Sequence, residues 1–390
     1  MKKKILFIIS NLETGGVSKS MTSMMNVIDR TRYDVSLMIV SPHGALMELL
    51  PSDLRIITNP VWEDLVSSTT GFRNLLKKGH FLLAIGHLFR LMLSMLNLKA
   101  PAGLLLSGLM PKLDEQFDVI VDFNGQQQLY YMVDKLKAPK KLTFFHSDYK
   151  KWPYYHKADK KYFPKVDSIW TISETCAMSL KEVFPEVSEK IKVMENISSK
   201  DLISRLSESV DVTSEIDPNI PSIITIGHMS DLKGTHWAIE AARILRDKGI
   251  KFRWYFLGKN LASEKYTGMI EEYALQSFII PLGIRSNPYP YLKAADIVCH
   301  PSQFEGKSIA LDEAKLLAKP IVVTNFSTVG DQFTHRHNAT ICEMSPQKIA
   351  EAIEELFSNN EICRRYSLNL SNEMKDNSSE IQKLYTIFDA

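Results

Sequence analysis

The segment Asp296–Thr324, DIVCHPSQFEGKSIALDEAKLLAKPIVVT, decides the fold. Asp296–His300 is a short apolar run of the kind that fills a buried parallel strand. Pro301 and Ser302 end it, Glu305-Gly306 makes a turn, and Ser308–Leu317 has helical periodicity. Pro320 stops that helix and opens a second buried strand at Ile321-Val322-Val323. In such a unit, ligands bind outside the carboxyl end of the first strand, where the loop meets the helix. Glu305 and Glu313 therefore fall on the loop and the second helical turn of one prospective site. The N–H groups of Lys307, Ser308 and Ile309 lack intrahelical acceptors and are expected to face the same space. Carboxylates accept hydrogen bonds from hydroxyls and repel anions, so a sugar suits this pair better than a bare phosphate.

Three further segments share the pattern of strand followed by loop. SIITIGHMSDLKG, residues 222–234, is an apolar strand and a glycine loop, followed by a helix with Ala238, Ala241, Ala242 and Leu245 on one face. KKKILFIIS, residues 2–10, is a buried-type strand leading into a loop, Asn11–Ser18, with Gly15-Gly16 at its centre. Leu142–Phe145 is an apolar run that ends at His146. No G-x-G-x-x-G follows a strand, so the dinucleotide fingerprint is absent.

Glu305 and Glu313, with Gly306, Ala314 and Pro320 around them, resemble the signature of family-4 retaining glycosyltransferases, whose architecture (GT-B) pairs two Rossmann-like domains. Lys307-Ser308, Ala310 and Ala318 replace an aromatic-glycine pair, a proline and a glycine of the usual form. Residues 222–234 resemble the family's first strand of the C-terminal domain, with His228 where an arginine is usual. The resemblance implies that Lys233 neutralises the donor diphosphate, where a fixed ammonium stabilises charge on the leaving group. It implies that Glu305 holds the sugar hydroxyls with the amides after Gly306, and that Glu313 holds the ribose hydroxyls. Gly227 and His228 would lie beside the diphosphate. Gly15-Gly16 would admit donor phosphates and acceptor to the backbone, and His146 would reach the donor sugar or the acceptor. The Gly258 turn and the loop Gly283–Lys293, with Asn287, would hold the nucleotide base. Tyr289 is open between stacking on that base and packing, and Tyr291 is expected to pack. Asn196 resembles the asparagine of the family's hinge.

With 390 residues and a hydrophobic fraction of 45%, the chain has room for two cores. Four cysteines without paired spacing indicate neither a disulfide framework nor a zinc site. No signal-peptide pattern is present, so a cytoplasmic protein is expected. The absence of a D-x-D motif argues against a carboxylate-bound metal at the diphosphate, and no cofactor is expected. Charge is uneven: residues 1–190 carry +6 and the remainder −4. Lys135–Lys165 holds ten lysines and two acidic residues, interleaved with Trp152, Tyr154, Tyr155 and Tyr162. Phe81–Met110 is rich in Leu and Met but broken by polar residues, too short an apolar run to span a membrane. Two readings stay open for it: an amphipathic helix at an anionic membrane surface, or one packed on the N-terminal sheet. A net charge of +2 and no recognised module exclude a nucleic-acid partner.

The expected fold is α/β, two doubly wound domains facing across a cleft. Residues 1–198 form an acceptor-side domain, 199–220 a linker and 221–376 a nucleotide-sugar domain, while 377–390 is a terminal helix crossing back to the first domain. The resemblance implies transfer of a hexosyl unit, with retention and without metal, from a nucleotide-sugar, UDP-linked, to a glycan or lipid-linked glycan in capsule or exopolysaccharide synthesis. Two alternatives are a nucleotide-sugar 2-epimerase and a non-catalytic partner subunit of the same fold.

Overall fold

The computed structural model describes residues 2–13, 15–259, 263–373 and 377–390. Thr14, in the middle of the expected glycine loop, and 374–376, at the expected end of the second domain, lie outside the described residues. Two compact units are present: 2–13, Val17–Ile197 and Ser379–Ala390 in one, and 15–16 with Ser198–Ser378 in the other.

The first unit is a seven-stranded parallel sheet. Its strands are β1 (Lys3–Ile9), β2 (Tyr33–Ile39), β3 (Arg55–Ile57), β4 (Val119–Asp122), β5 (Lys140–Phe145), β6 (Ser168–Thr171) and β7 (Ile191–Val193). They lie in the order β3-β2-β1-β4-β5-β6-β7, so the winding reverses between β1 and β4. The sequence ILFII makes β1 suited to this central place, because helices cover both faces of a parallel sheet. Ile5, Phe7 and Ile9 point into one core, and Leu6 and Ile8 into the core on the opposite face.

The last residues of the chain close the first of these cores. Ile381, Leu384, Tyr385 and Phe388 are buried against β1 and β2, as their i, i+3, i+4, i+7 spacing requires of a helix face. The Phe388 ring meets Phe7 edge-on at 6.3 Å and Tyr33 at 5.4 Å. Lys3 Nζ donates to the Phe388 carbonyl at 2.7 Å.

The second unit is a six-stranded parallel sheet. It contains β8 (Ser222–Ile226), β9 (Arg253–Leu257), β10 (Ile279–Gly283), β11 (Ile297–His300), β12 (Ile321–Thr324) and β13 (Thr340–Cys342), in the order β10-β9-β8-β11-β12-β13. Its reversal lies between β8 and β11. The helix Ile309–Leu316 joins β11 to β12, as read from the opening segment.

Residues 199–220, read as a linker, are folded into the second unit. Lys200–Ser207 is a helix capped by Ser199, whose side chain accepts from the Leu202 N–H. Ile203, Val212 and Ile216 are buried in the core under β8, β9 and β11. Serines and acids between these positions hid a short apolar face. The Phe81–Met110 stretch is likewise two helices, Phe81–Met95 and Lys99–Leu109, rather than one.

Phe388→Ala should destabilise the first unit by about 3–5 kcal/mol, the scale for truncating a buried aromatic. Urea denaturation followed by tryptophan fluorescence measures it, and a loss below about 1 kcal/mol would mean the terminal helix is not part of that core.

Candidate functional site

A parallel sheet exposes its loops at the carboxyl ends of its strands, and at a reversal of winding the two flanking loops part, leaving room for a ligand. In the second unit those loops follow Ile226 of β8 and His300 of β11. The structure brings Lys233 from the first loop together with Glu305 from the second. Lys233 Nζ donates to Glu305 Oε1 at 2.5 Å. The same oxygen lies 2.7 Å from His300 Nε2 and accepts from Ser302 Oγ at 2.9 Å. A carboxylate only accepts, so the His300 proton sits on Nε2.

Lys233 keeps about a third of its side-chain surface exposed, whereas Glu305 keeps a tenth. Burial acts to raise the Glu305 pKa. The hydrogen bond and charge of His300, with the charge and hydrogen bond of Lys233, outweigh it and hold the carboxyl at about 2. Glu305 and Lys233 were read from sequence as separate ligand contacts. They are partners of one another, and His300 with Ser302 completes the group.

The backbone fixes this meeting. Gly234 has φ +65°, and a Cβ built there would fall 1.8 Å from the Pro301 carbonyl oxygen. The loop after β8 is thus pressed against the loop after β11, and Gln303 N–H donates to the Leu232 carbonyl at 2.8 Å. Gly227, Gly258 and Gly283 also come together: Gly258 N–H donates to Gly283 O at 2.8 Å, and a Cβ on Gly258 would overlap the Gly227 carbonyl oxygen at 1.7 Å. His228, next to Gly227, is exposed.

Glu313 is almost fully buried on the helix Ile309–Leu316 and accepts from the Tyr289 hydroxyl at 2.8 Å. That bond settles Tyr289 as packed, not presented for stacking. Tyr291 is packed too and donates to Glu215 at 2.6 Å. Asn287 is engaged with the protein: its amide donates to the Leu206 carbonyl at 2.8 Å and to Ser209 Oγ at 2.9 Å. The expected row of amides after Gly306 is changed at one place. Ser308 N–H donates to Gln332 Oε1 at 3.1 Å, while Gln332 Nε2 donates back to the Ser308 carbonyl at 3.0 Å and to Asp312 at 2.8 Å. Gly306, Lys307 and Ile309 lie on the same loop and helix start.

The first unit has its own reversal, and its polar groups differ. Asn124 Oδ1 accepts from Ser10 N–H at 2.7 Å, and Gln128 donates to Ser10 Oγ at 2.6 Å. Asp122 accepts from Gly125 N–H at 2.9 Å and from Thr143 Oγ1 at 2.6 Å, yet burial pushes its carboxyl up to about 7. His146 follows β5, its ring 4.5 Å from that of Phe123 and 5.6 Å from that of Phe144. Its ring nitrogens are shielded and find no partner of standard geometry. Burial drives its pKa down to about 4, which the Asn196 side chain and Phe123 backbone offset only in part. Gly15 and Gly16 open the helix Gly16–Val27, and a Cβ on Gly15 would meet nothing within 4 Å.

Residues 208–373 match the family model of glycosyl transferases group 1. The matched span holds Lys233, Glu305 and Glu313. Over 117 residues the chain is 32% identical to the colanic acid biosynthesis protein WcaL of Escherichia coli (strain K12), named a glycosyltransferase, covering 27% of this chain and 28% of that protein. It is 25% identical over 171 residues to MJ1059 of Methanocaldococcus jannaschii, named an uncharacterized glycosyltransferase, covering 43% and 42%. These matches span less than half the length of either relative. The Anabaena Alr3699/HepE structure in complex with UDP and glucose superposes with a TM-score of 0.71 at 14% identity, over all of both chains. WaaG, a glycosyltransferase involved in lipopolysaccharide biosynthesis, gives 0.64 at 14%, over 98% and 99%. The fold of two Rossmann-like units is therefore shared with GT-B glycosyltransferases.

Two measurements test the site as built. Gly234→Ala should cost the second unit about 2 kcal/mol or more in urea denaturation, through backbone strain and the clash with Pro301. An unchanged midpoint would mean the two loops are not in contact. The second measurement concerns pH. Glu305 has its folded pKa near 2 against 4.5 for an unperturbed carboxyl, so its contribution to stability is present above 4.5 and lost as pH falls toward 2. The stability gap between wild type and Glu305→Gln should narrow by about 2–3 kcal/mol between pH 5 and pH 2. A gap independent of pH would remove the ion pair from the argument.

Proposed function

We propose that this protein is a retaining glycosyltransferase that moves a hexosyl unit from a UDP-sugar to a hydroxyl of a growing polysaccharide or lipid-linked glycan. The observation that carries the reading is the meeting of Lys233 and Glu305 at the reversal of the second sheet, inside the span matched by the family model. HepE bound to UDP and UDP-glucose, and WcaL named for colanic acid biosynthesis, support the donor class and a role in exopolysaccharide or capsule assembly.

In this reading an arriving diphosphate takes the Lys233 ammonium from Glu305. His300 and Ser302 remain to hold the carboxylate, so the exchange does not strand a buried charge. The bond from the anomeric carbon to the diphosphate oxygen breaks as the acceptor oxygen attacks from the same face. The acceptor proton passes to the departing diphosphate oxygen, whose negative charge Lys233 stabilises. Glu305 accepts hydrogen bonds from sugar hydroxyls, and Glu313, oriented by Tyr289, from the ribose hydroxyls. The roles given above to His146, Gly15-Gly16, Gly227, His228, Gly258 and Gly283 belong to this proposal.

The test begins with a panel of nucleotide-sugars in thermal-shift and transfer assays, with the anomeric configuration of the product read by NMR. Lys233→Ala should lower turnover by about 10²-fold or more, and, unlike a surface lysine, should also destabilise the fold by about 1–3 kcal/mol, because Glu305 loses a partner. Glu313→Gln should weaken donor binding by about 1.5–3 kcal/mol. Stabilisation by no nucleotide-sugar, or wild-type turnover in a folded Lys233→Ala protein, would overturn the reading. An inverted product would leave a transferase and remove the retaining mechanism.

A further inference from the structure

The helix Phe81–Met95 of the first unit has two unlike sides. Its inner side is fixed. Ala84 and His87 are fully buried, and the His87 ring nitrogens lie 3.1 and 3.0 Å from the carbonyl oxygens of Leu65 and Ser68. Gly86 sits so near the next helix that a Cβ would fall 2.5 Å from Leu109 Cδ2. The outer side is apolar and bare. Phe81, Ile85, Leu88, Met92 and Met95 recur at steps of four and three residues, flanked by Leu82 and Phe89, and each is between 44% and 87% exposed. A continuous apolar face of this kind on a folded surface marks an interaction site.

Charge says what covers it. Between Asp64 and Asp114 the chain has no carboxylate in 49 residues, and it has six Lys and Arg. Lys78 is paired with Asp64, and Arg90 turns inward to the Ser67 carbonyl. Arg73, Lys77, Lys99 and Lys112 are exposed. Lys77 precedes the helix by four residues and Lys99 follows it by four. The lysine-rich stretch Lys135–Lys165 is partly neutralised: Lys150 pairs with Glu182, and Lys160 with Glu186. A second copy of the chain would set these cations against themselves. Two heptads are also too few for a coiled coil.

We infer that the helix Phe81–Met95 lies in the plane of an anionic lipid surface, with Phe81, Leu82, Ile85 and Phe89 among the acyl chains and Lys77 and Lys99 at the headgroups. Among the described residues no helix is long and apolar enough to cross a membrane, so this contact is reversible and sensitive to salt. The inference stands on the first unit alone and does not depend on the donor chemistry.

Co-sedimentation of the full chain with vesicles of phosphatidylcholine, alone and mixed with phosphatidylglycerol, tests it. Binding is expected on the mixed vesicles only, falling as salt rises. The double variant Leu82→Asp, Phe89→Asp should partition at least about tenfold more weakly, with an unchanged urea midpoint because both side chains are exposed. Lys77→Glu with Lys99→Glu should weaken binding by a similar factor. Three results would overturn the inference: no binding to mixed vesicles at low salt, undiminished binding by both variants, or self-association in the ultracentrifuge that Phe89→Asp abolishes. Thermal stabilisation by UDP, measured on the same samples, should be unaffected by either double variant. Its loss in the wild type with vesicle binding intact would count against the donor reading alone.

Discussion

A carboxylate taken out of water must gain charge and hydrogen bonds in compensation, or it takes up a proton instead. Glu305 meets that demand through one oxygen, which faces the ammonium of Lys233, the imidazole of His300 and the hydroxyl of Ser302. The three partners come from the loop after β8, the last residue of β11 and the loop after β11. The ion pair therefore holds together the two loops that a reversal of winding would otherwise leave apart. Gly234 allows the backbones to come close enough for this. When one partner leaves, the other two still hold the carboxylate, at a cost in stability.

Around that pair the second unit places a ring of bonds that orient without touching it. Tyr289 sets Glu313, Gln332 ties the start of the helix Ile309–Leu316 to Asp312, and Asn287 anchors the end of the helix Lys200–Ser207. The first unit repeats the strand order but fills its reversal differently. There Asn124 and Gln128 both bond to Ser10, and buried Asp122 is pushed toward neutrality. One topology thus carries an ionic reversal in one unit and a largely uncharged one in the other.

The strands and the doubly wound architecture were legible because parallel strands are buried on both faces and leave unbroken apolar runs, as in ILFII and IVVT. Lys233, Glu305 and Glu313 were legible as positions at strand ends. Their pairing was not, because sequence spacing says nothing of contacts across 72 residues. His300 was missed although it closes an apolar strand at its carboxyl end, the place where a polar residue signals a site. The segment 199–220 was misread because Ile203, Val212 and Ile216 are too sparse for a period to show. Tyr289 and Asn287 fall in a stretch read as a loop, whose aromatic and amide groups suit a nucleotide base equally well. Only the geometry assigns them to Glu313 and to the Leu206 carbonyl.

The terminal helix has a consequence for biosynthesis. A ribosome delivers β1 long before Phe388, yet both belong to one core, and Lys3 bonds to a carbonyl 385 positions away. The second unit, Ser198–Ser378, is complete in the nascent chain before the first has its final wall. Domains ordinarily fold from the N-terminus as they emerge. Here the sheet made earliest must wait, with the apolar surface around Phe7 and Tyr33 uncovered, until Phe388 has been made. A chain interrupted between Ser378 and Ile381 would carry a finished second unit joined to an unfinished first.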